Sequence, residues 1–370
     1  MPLWNFRKKK TELPEQTEIL LEQAAEPLFE EELFDPAELE ELISPAPYSA
    51  RDTSITHAGL YPHEVLILDS ADTFFVDQEE FPVIWRREYG ILQMPKLLAS
   101  LVDRGFLTEA PIKATLEAAT VPALKDALRK RGKTVGGKKA DLVDRLLYTI
   151  PEGDLYALFP QRTFTLTHLG TQARDEALHV PYIHKRPVDG LTIWSLHREV
   201  VENPEKTYRD LVWAHLEATS QALVKNPAKN YAAYRACRYR MYQFLMEEQK
   251  LKRAFPYLAE VIYYDLSGVG GDSDTLHRYV SEKYFFPYDR SIVKLSATCV
   301  QAMGRLQTDL GLTEEMLQAL LTQFFERLSI PTHLFTVEEC VLIVLLELRG
   351  DTEKLRHVYK LAETRFGQRG

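Results

Sequence analysis

Apolar residues recur at helical spacing through most of the second half of the chain. Segments 205–224, 229–250, 251–266, 275–285, 289–308, 313–328, 336–348 and 351–366 each carry apolar positions three and four apart, with polar residues between them. Short breaks separate them at Asn226-Pro227, Gly268-Val269-Gly270-Gly271, Pro287, Gly311, Pro331 and Gly350. Trp194 and Leu196 open this region. The pattern predicts an all-helical C-terminal domain over 189–370, either a bundle or an irregular α-solenoid. No fixed repeat length is present, which argues against a regular repeat array.

The first half reads differently. Val65-Leu66-Ile67-Leu68 and Phe81-Pro82-Val83-Ile84-Trp85 are short apolar runs that mark the start of ordered structure. Leu97, Leu98, Leu101 and Val102 share one helix face, and Gly105 stops that helix. Leu116 leads towards the next one. Thr163 to Leu166 alternates like a short strand, and Thr167 is placed to cap a helix through Ala177. Helices, a strand and another helix suit a winged-helix arrangement or a plain connector. Pro181 to Pro187 reads as an extended link. The expected fold class is mainly α, with minor β content in an N-terminal domain over 56–180. Residues 1–55 are acidic, with Glu30, Glu31, Glu32, Asp35, Glu38, Glu40 and Glu41 crowded together and five prolines from Pro14 to Pro47. That composition predicts a disordered tail. Its leucines leave open a docking segment that folds on a partner, or an acidic mimic of DNA.

Residues 120–147 form a distinct helix–loop–helix pattern. Thr120 is a fair N-cap, and Val121, Leu124 and Leu128 stripe a first helix that Gly132 ends. A glycine-rich loop follows. The second helix runs from Lys138 to Leu147, with Leu142, Val143, Leu146 and Leu147 turned towards Leu124 and Leu128. Charge concentrates here. Lys125, Arg129, Lys130, Arg131, Lys133, Lys138, Lys139 and Arg145 face only Asp126, Asp141 and Asp144, in a chain whose net charge is −9. That overall sign argues against a protein whose whole surface grips nucleic acid, so any such contact must be local. Gly136 and Gly137 allow close approach of backbone. The free N–H groups and positive dipole end of the following helix favour an anion such as a phosphate, with Lys138 and Lys139 as counter-charges.

These residues carry a resemblance. The segment resembles the SAP motif, a DNA-binding helix–loop–helix of about 35 residues. Leu124, Leu128, Gly132, Gly137, Lys139, Ala140, Leu142, Val143, Arg145 and Leu146 match it position by position. Lys133 stands where the motif has Leu, so Val135 is expected to fill the gap. Gly136 stands where it has Ser or Thr. The resemblance implies DNA contact through Arg129, Arg131, Lys133, Gly136, Gly137, Lys138, Lys139 and Arg145, mainly to phosphates and with little sequence specificity. The whole chain more loosely resembles SAP-containing proteins of Gram-positive bacteria and their prophages.

Other chemistry is thin. The three cysteines, Cys237, Cys299 and Cys340, fit no disulfide framework and no zinc spacing, and read as reduced, buried thiols. His168, His179, His184 and His197 lack ligand spacing. Gly268 to Asp272 is a loop rather than a phosphate cradle, since no Lys-Ser/Thr follows. Glu247-Glu248 reads as a solvated helix end. Arg235, Arg238, Arg240 and the basic run Lys250 to Arg253, interleaved with Tyr, read as half-buried packing, with an extension of the DNA footprint as the alternative. No catalytic residue, metal or cofactor is expected. The basic cluster Arg7 to Lys10 is followed by Glu12, Glu15 and Glu18 rather than an apolar core, and no apolar run approaches the ~20 residues of a membrane span. A cytoplasmic protein with no membrane contact is expected. The function expected is that of a non-enzymatic DNA-associated protein whose helical domain binds a protein partner or a second copy. The alternative is a helical scaffold in which the SAP-like unit is architectural.

Overall fold

Pro62 and the apolar run behind it open the first helix of the computed structural model, which describes residues 55–224, 231–268, 285–328 and 334–367. The acidic segment 1–54, the Asn226-Pro227 break, the glycine run after Gly268, nearly all of 275–285 and Pro331 lie outside the described residues. The chain divides into two units. One holds residues 44–212, and the described part of the other begins at Trp213. The predicted domain start at 189 therefore falls inside the first unit.

In the first unit, α1 (Pro62–Asp69) carries the run Val65 to Leu68, all four of them fully buried. Helices α2 (Val83–Arg87) and α3 (Met94–Asp103) follow. Gly105, at φ +77°, ends α3 as expected. Strand β1 (Leu107–Glu109) comes next, then four helices: α4 (Ile112–Ala118), α5 (Val121–Lys130), α6 (Lys139–Thr149) and α7 (Glu152–Leu158). The predicted strand is β2 (Phe164–Leu166). It pairs antiparallel with β1 in the register Leu107–Leu166, Thr108–Thr165 and Glu109–Phe164. The sheet thus ties together the two ends of the four-helix insertion, a staple rather than a wing. Arg162 forms an ion pair with Glu109 beside it.

Helix α8 (His168–Asp175) starts where Thr167 caps it, its Oγ1 accepting the Gly170 N–H at 3.0 Å. The expected extended link is instead α9 (His179–Lys185). Pro181 is the third residue of that helix, within the first turn, where a missing N–H breaks no intrahelical bond. Helix α10 (Ile193–Glu202) follows, with Ile193, Leu196 and His197 buried against α9 and α1.

Helix α11 (Tyr208–Val224) spans the division, and the second unit continues with α12 (Tyr231–Glu247), α13 (Leu251–Ser267), α14 (Ala297–Asp309), α15 (Glu314–Phe325), α16 (Val337–Arg349) and α17 (Thr352–Gly367). Among the described residues it is an all-helical bundle. Helices α12 and α13 pack on each other, as do α15 and α16, and α16 and α17. Helix α13 also touches α14 and α15. The predicted helix at 289–308 begins only at Ala297, because Ser296 Oγ accepts the Cys299 N–H and fixes the start there.

Candidate nucleic-acid interface

Helices α4 to α7 share one core. Leu116, Leu124, Leu128, Leu142 and Leu146 are fully buried, and Ile112, Ala127, Val143, Ile150 and Leu155 complete the cluster. Two of these helices, α4 and α7, were not legible as part of the unit, although Pro111 and Pro151 stand at their N-cap positions. Val121 does not join the predicted stripe. It lies in the first turn of α5 beside exposed Pro122 and is itself exposed, and Ala127 takes the remaining core position.

The end of α5 follows the expected rule. Gly132 adopts φ +65°, its N–H donates to Arg129 O at 3.0 Å, and the Lys133 N–H reaches back to Leu128 O at 2.9 Å. Both bonds belong to the Schellman termination. Lys133 is exposed, and Val135 is the loop side chain that packs on the core, as its neighbour's substitution predicts.

The loop from Lys133 to Lys138 is held from α6. Arg145 Nη1 donates to Thr134 O at 2.8 Å and to Gly136 O at 2.9 Å. Asp141 Oδ2 accepts the Lys138 backbone N–H at 2.8 Å. Lys138 is the N-cap rather than the first helical residue, and Asp141 is the third residue of α6. A free helix N-terminus was expected to offer its donors to a phosphate. One of those donors, the Lys138 N–H, is already taken by a carboxylate of the chain. Gly137 has φ +117°, and a Cβ there would stand 2.8 Å from Asp141 Oδ2. Gly136 has open space around it.

The basic residues divide into two sets. Arg129 pairs with Asp126 on its own helix, Arg131 pairs with Asp154 of α7 at 3.0 Å, and Arg145 serves the loop. Asp154 was not legible as a partner, because it lies outside the helix–loop–helix pattern. Lys133, Lys138 and Lys139 are exposed and form no ion pair among the described residues. Lys130, at the end of α5, is exposed in the same way. The structure therefore brings three of the expected lysines onto one loop and the first turn of the helix after it, with three arginines engaged inside the unit.

Elsewhere, Tyr231, Tyr234, Arg238, Tyr242 and Phe244 of α12 are buried, while Arg235, Tyr239 and Arg240 are half-buried. Arg238 and Glu260 are each 5% exposed and paired at 3.0 Å, and the Tyr234 hydroxyl donates to Glu260 at 2.6 Å. Arg235 makes two bonds to Asp265, at 2.8 and 2.7 Å. Arg238 is interior packing and Arg235 half-buried, each engaged by a carboxylate of α13. The three cysteines are buried and form no disulfide among the described residues. His179 and His197 stack in the first unit with ring nitrogens 2.9 Å apart. Among the described residues no group of three or more His, Cys, Asp or Glu is placed to hold a metal, and no helix is long and apolar enough to cross a membrane.

Comparison with protein families matches the SAP domain to residues 115–150. The chain is a SAP domain-containing protein, and the match points to nucleic-acid binding in general. Comparison with curated proteins gives no match.

Proposed function

We propose that this chain is a DNA-associated protein that works without catalysis. Its SAP unit sets Lys133, Lys138 and Lys139 against phosphates of duplex DNA with little sequence preference, and its C-terminal helices hold a protein partner or a second copy. One observation carries the reading. In a chain of net charge −9, eight basic residues against three acidic ones fall within 121–147, and Lys133, Lys138 and Lys139 are exposed and form no ion pair among the described residues. Lysine ammonium groups on a loop neutralise phosphates as point charges and release counterions, which gives affinity without base readout.

Salt-titrated binding to unrelated duplexes tests it. Three phosphate contacts predict a slope of log K on log salt of about −3, equal across sequences. Replacing Lys138 and Lys139 together by Glu should leave the fold intact and lower that slope by about two. Equal binding by this variant and the wild type at low salt sinks the reading. The absence of catalysis is checked by incubating DNA with the protein and a divalent metal; strand cleavage refutes it.

The engaged arginines and the carboxylate at the start of α6 favour a second reading, in which the unit is architectural within a helical scaffold. A wild-type protein that fails to bind DNA at low salt supports that one.

A further inference from the structure

The loop between α5 and α6 contains no hydrophobic anchor except Val135, yet both of its halves are fixed by side chains of one helix. Arg145 lies on the second turn of α6 and reaches back to two carbonyls, Thr134 O at 2.8 Å and Gly136 O at 2.9 Å. Asp141 lies one turn earlier and takes the Lys138 N–H at 2.8 Å. Between these anchor points the chain passes through Gly137 at φ +117°. There a side chain would meet the Asp141 carboxylate, its Cβ 2.8 Å from Oδ2 and 3.0 Å from the Asp141 Cβ. Glycine at 137 is what lets Asp141 close on the backbone. Three exposed lysines without an ion pair among the described residues sit at the edges of this anchored stretch: Lys133 just before the first anchored carbonyl, Lys138 at the anchored N–H, and Lys139 next to it.

We infer that Arg145 and Asp141 form a clamp on residues 134–138 and are positioning residues for DNA binding, not phosphate ligands. The inference rests on the proposed function, and it assigns these two residues a role different from that of the lysines. An ordered loop holds its ammonium groups in place before DNA arrives, so less conformational freedom is lost on association. A guanidinium that already donates to two carbonyls acts through backbone. Asp141 works against its own electrostatics: its negative charge lies beside Lys138, where it opposes a phosphate, while its hydrogen bond shapes the loop that the phosphate meets.

These two actions of Asp141 are separable by substitution. Asn keeps an oxygen that accepts the Lys138 N–H and removes the charge. Ala removes both. If charge alone matters, Asp141→Asn and Asp141→Ala tighten binding equally. With a clamp, Asp141→Asn binds as well as or better than wild type, and Asp141→Ala binds less tightly than Asp141→Asn by roughly threefold to tenfold, the scale of one lost hydrogen bond.

Arg145→Gln gives the parallel test, with Lys139→Ala as the reference for a lost phosphate contact. All variants are made in the full chain, and binding to a duplex of arbitrary sequence is measured over a range of salt. Lys139→Ala should lower the salt slope by about one. Arg145→Gln should weaken binding by roughly threefold to tenfold with the slope unchanged. A slope lowered by about one in Arg145→Gln makes Arg145 a phosphate ligand and overturns the clamp. Wild-type affinity in Arg145→Gln, or equal affinity in the two Asp141 variants, overturns it as well. Should Arg145→Gln lose its cooperative melt, the Asp141 pair decides alone. Wild-type protein that binds no DNA at low salt removes the function proposed above and the clamp with it; wild-type binding with failure of the variant pattern removes the clamp only.

Discussion

His179 illustrates how burial sets chemistry at the scale of one residue. It stacks on His197 at a ring separation of 5.1 Å and is 4% exposed. Burial, reinforced by the repulsion of a second imidazole, pushes its pKa down from 6.5 to about 3. The folded first unit therefore keeps this ring neutral where the unfolded chain already binds a proton. The stability it confers is complete above pH 6.5 and is lost as pH falls from 6.5 towards 3. We expect the free energy of opening at α9 and α10, followed by hydrogen exchange, to fall by about 1.4 kcal/mol per pH unit in that window. His179→Gln should flatten the dependence. A wild-type profile that is flat between pH 6 and pH 4 would contradict the assignment, with these pH values being those bracketed by the shift itself.

Helices α12 and α13 show what an element pair contributes beyond its apolar face. Arg238 and Glu260 are buried between them, with Arg238 also over the rings of Tyr234 and Tyr257 at 4.9 and 5.2 Å. Burial pushes the Glu260 carboxyl up, and the guanidinium and the Tyr234 hydroxyl pull it back. Removing one partner strands the other charge. Glu260→Ala should cost about 3–5 kcal/mol, while replacing Arg238 and Glu260 together by Met should cost far less, measured by urea unfolding. Equal losses in both variants would show that the pair itself stabilises the helices. At this same scale the sequence was most legible where a cap and an apolar period agree. Thr313 and Thr336 cap α15 and α16, whose buried pairs Leu317 and Leu321, and Cys340 and Val344, stand four residues apart. It was least legible where one residue type has two meanings. The stretch from Pro181 to Pro187 reads as an extended link, though in a first turn proline costs no hydrogen bond. Of the candidate interface, the basic residues and both glycines were visible in the pattern. The engagement of Arg131 and Arg145 was not, because Asp154 and the carbonyls of Thr134 and Gly136 become their neighbours only once the helices have packed.

For the whole molecule, charge is the property that no single element determines. The net charge is −9 although residues 121–147 are strongly basic, so the remainder of the chain repels a polyanion. Replacing Glu30, Glu31 and Glu32 by Gln should tighten binding to duplex DNA at low salt, and the gain should vanish by about 0.3 M, where screening falls below ~6 Å. A gain that persists at high salt would point to direct competition for the lysines rather than a long-range field. The division of labour inside the SAP unit has a further consequence, for how such a protein changes over generations. Arginines fix its framework and lysines bear its outward charge. Grip on a polyanion is thus adjustable one charge at a time, at positions 133, 138 and 139, by substitutions that leave every hydrogen bond of the framework in place.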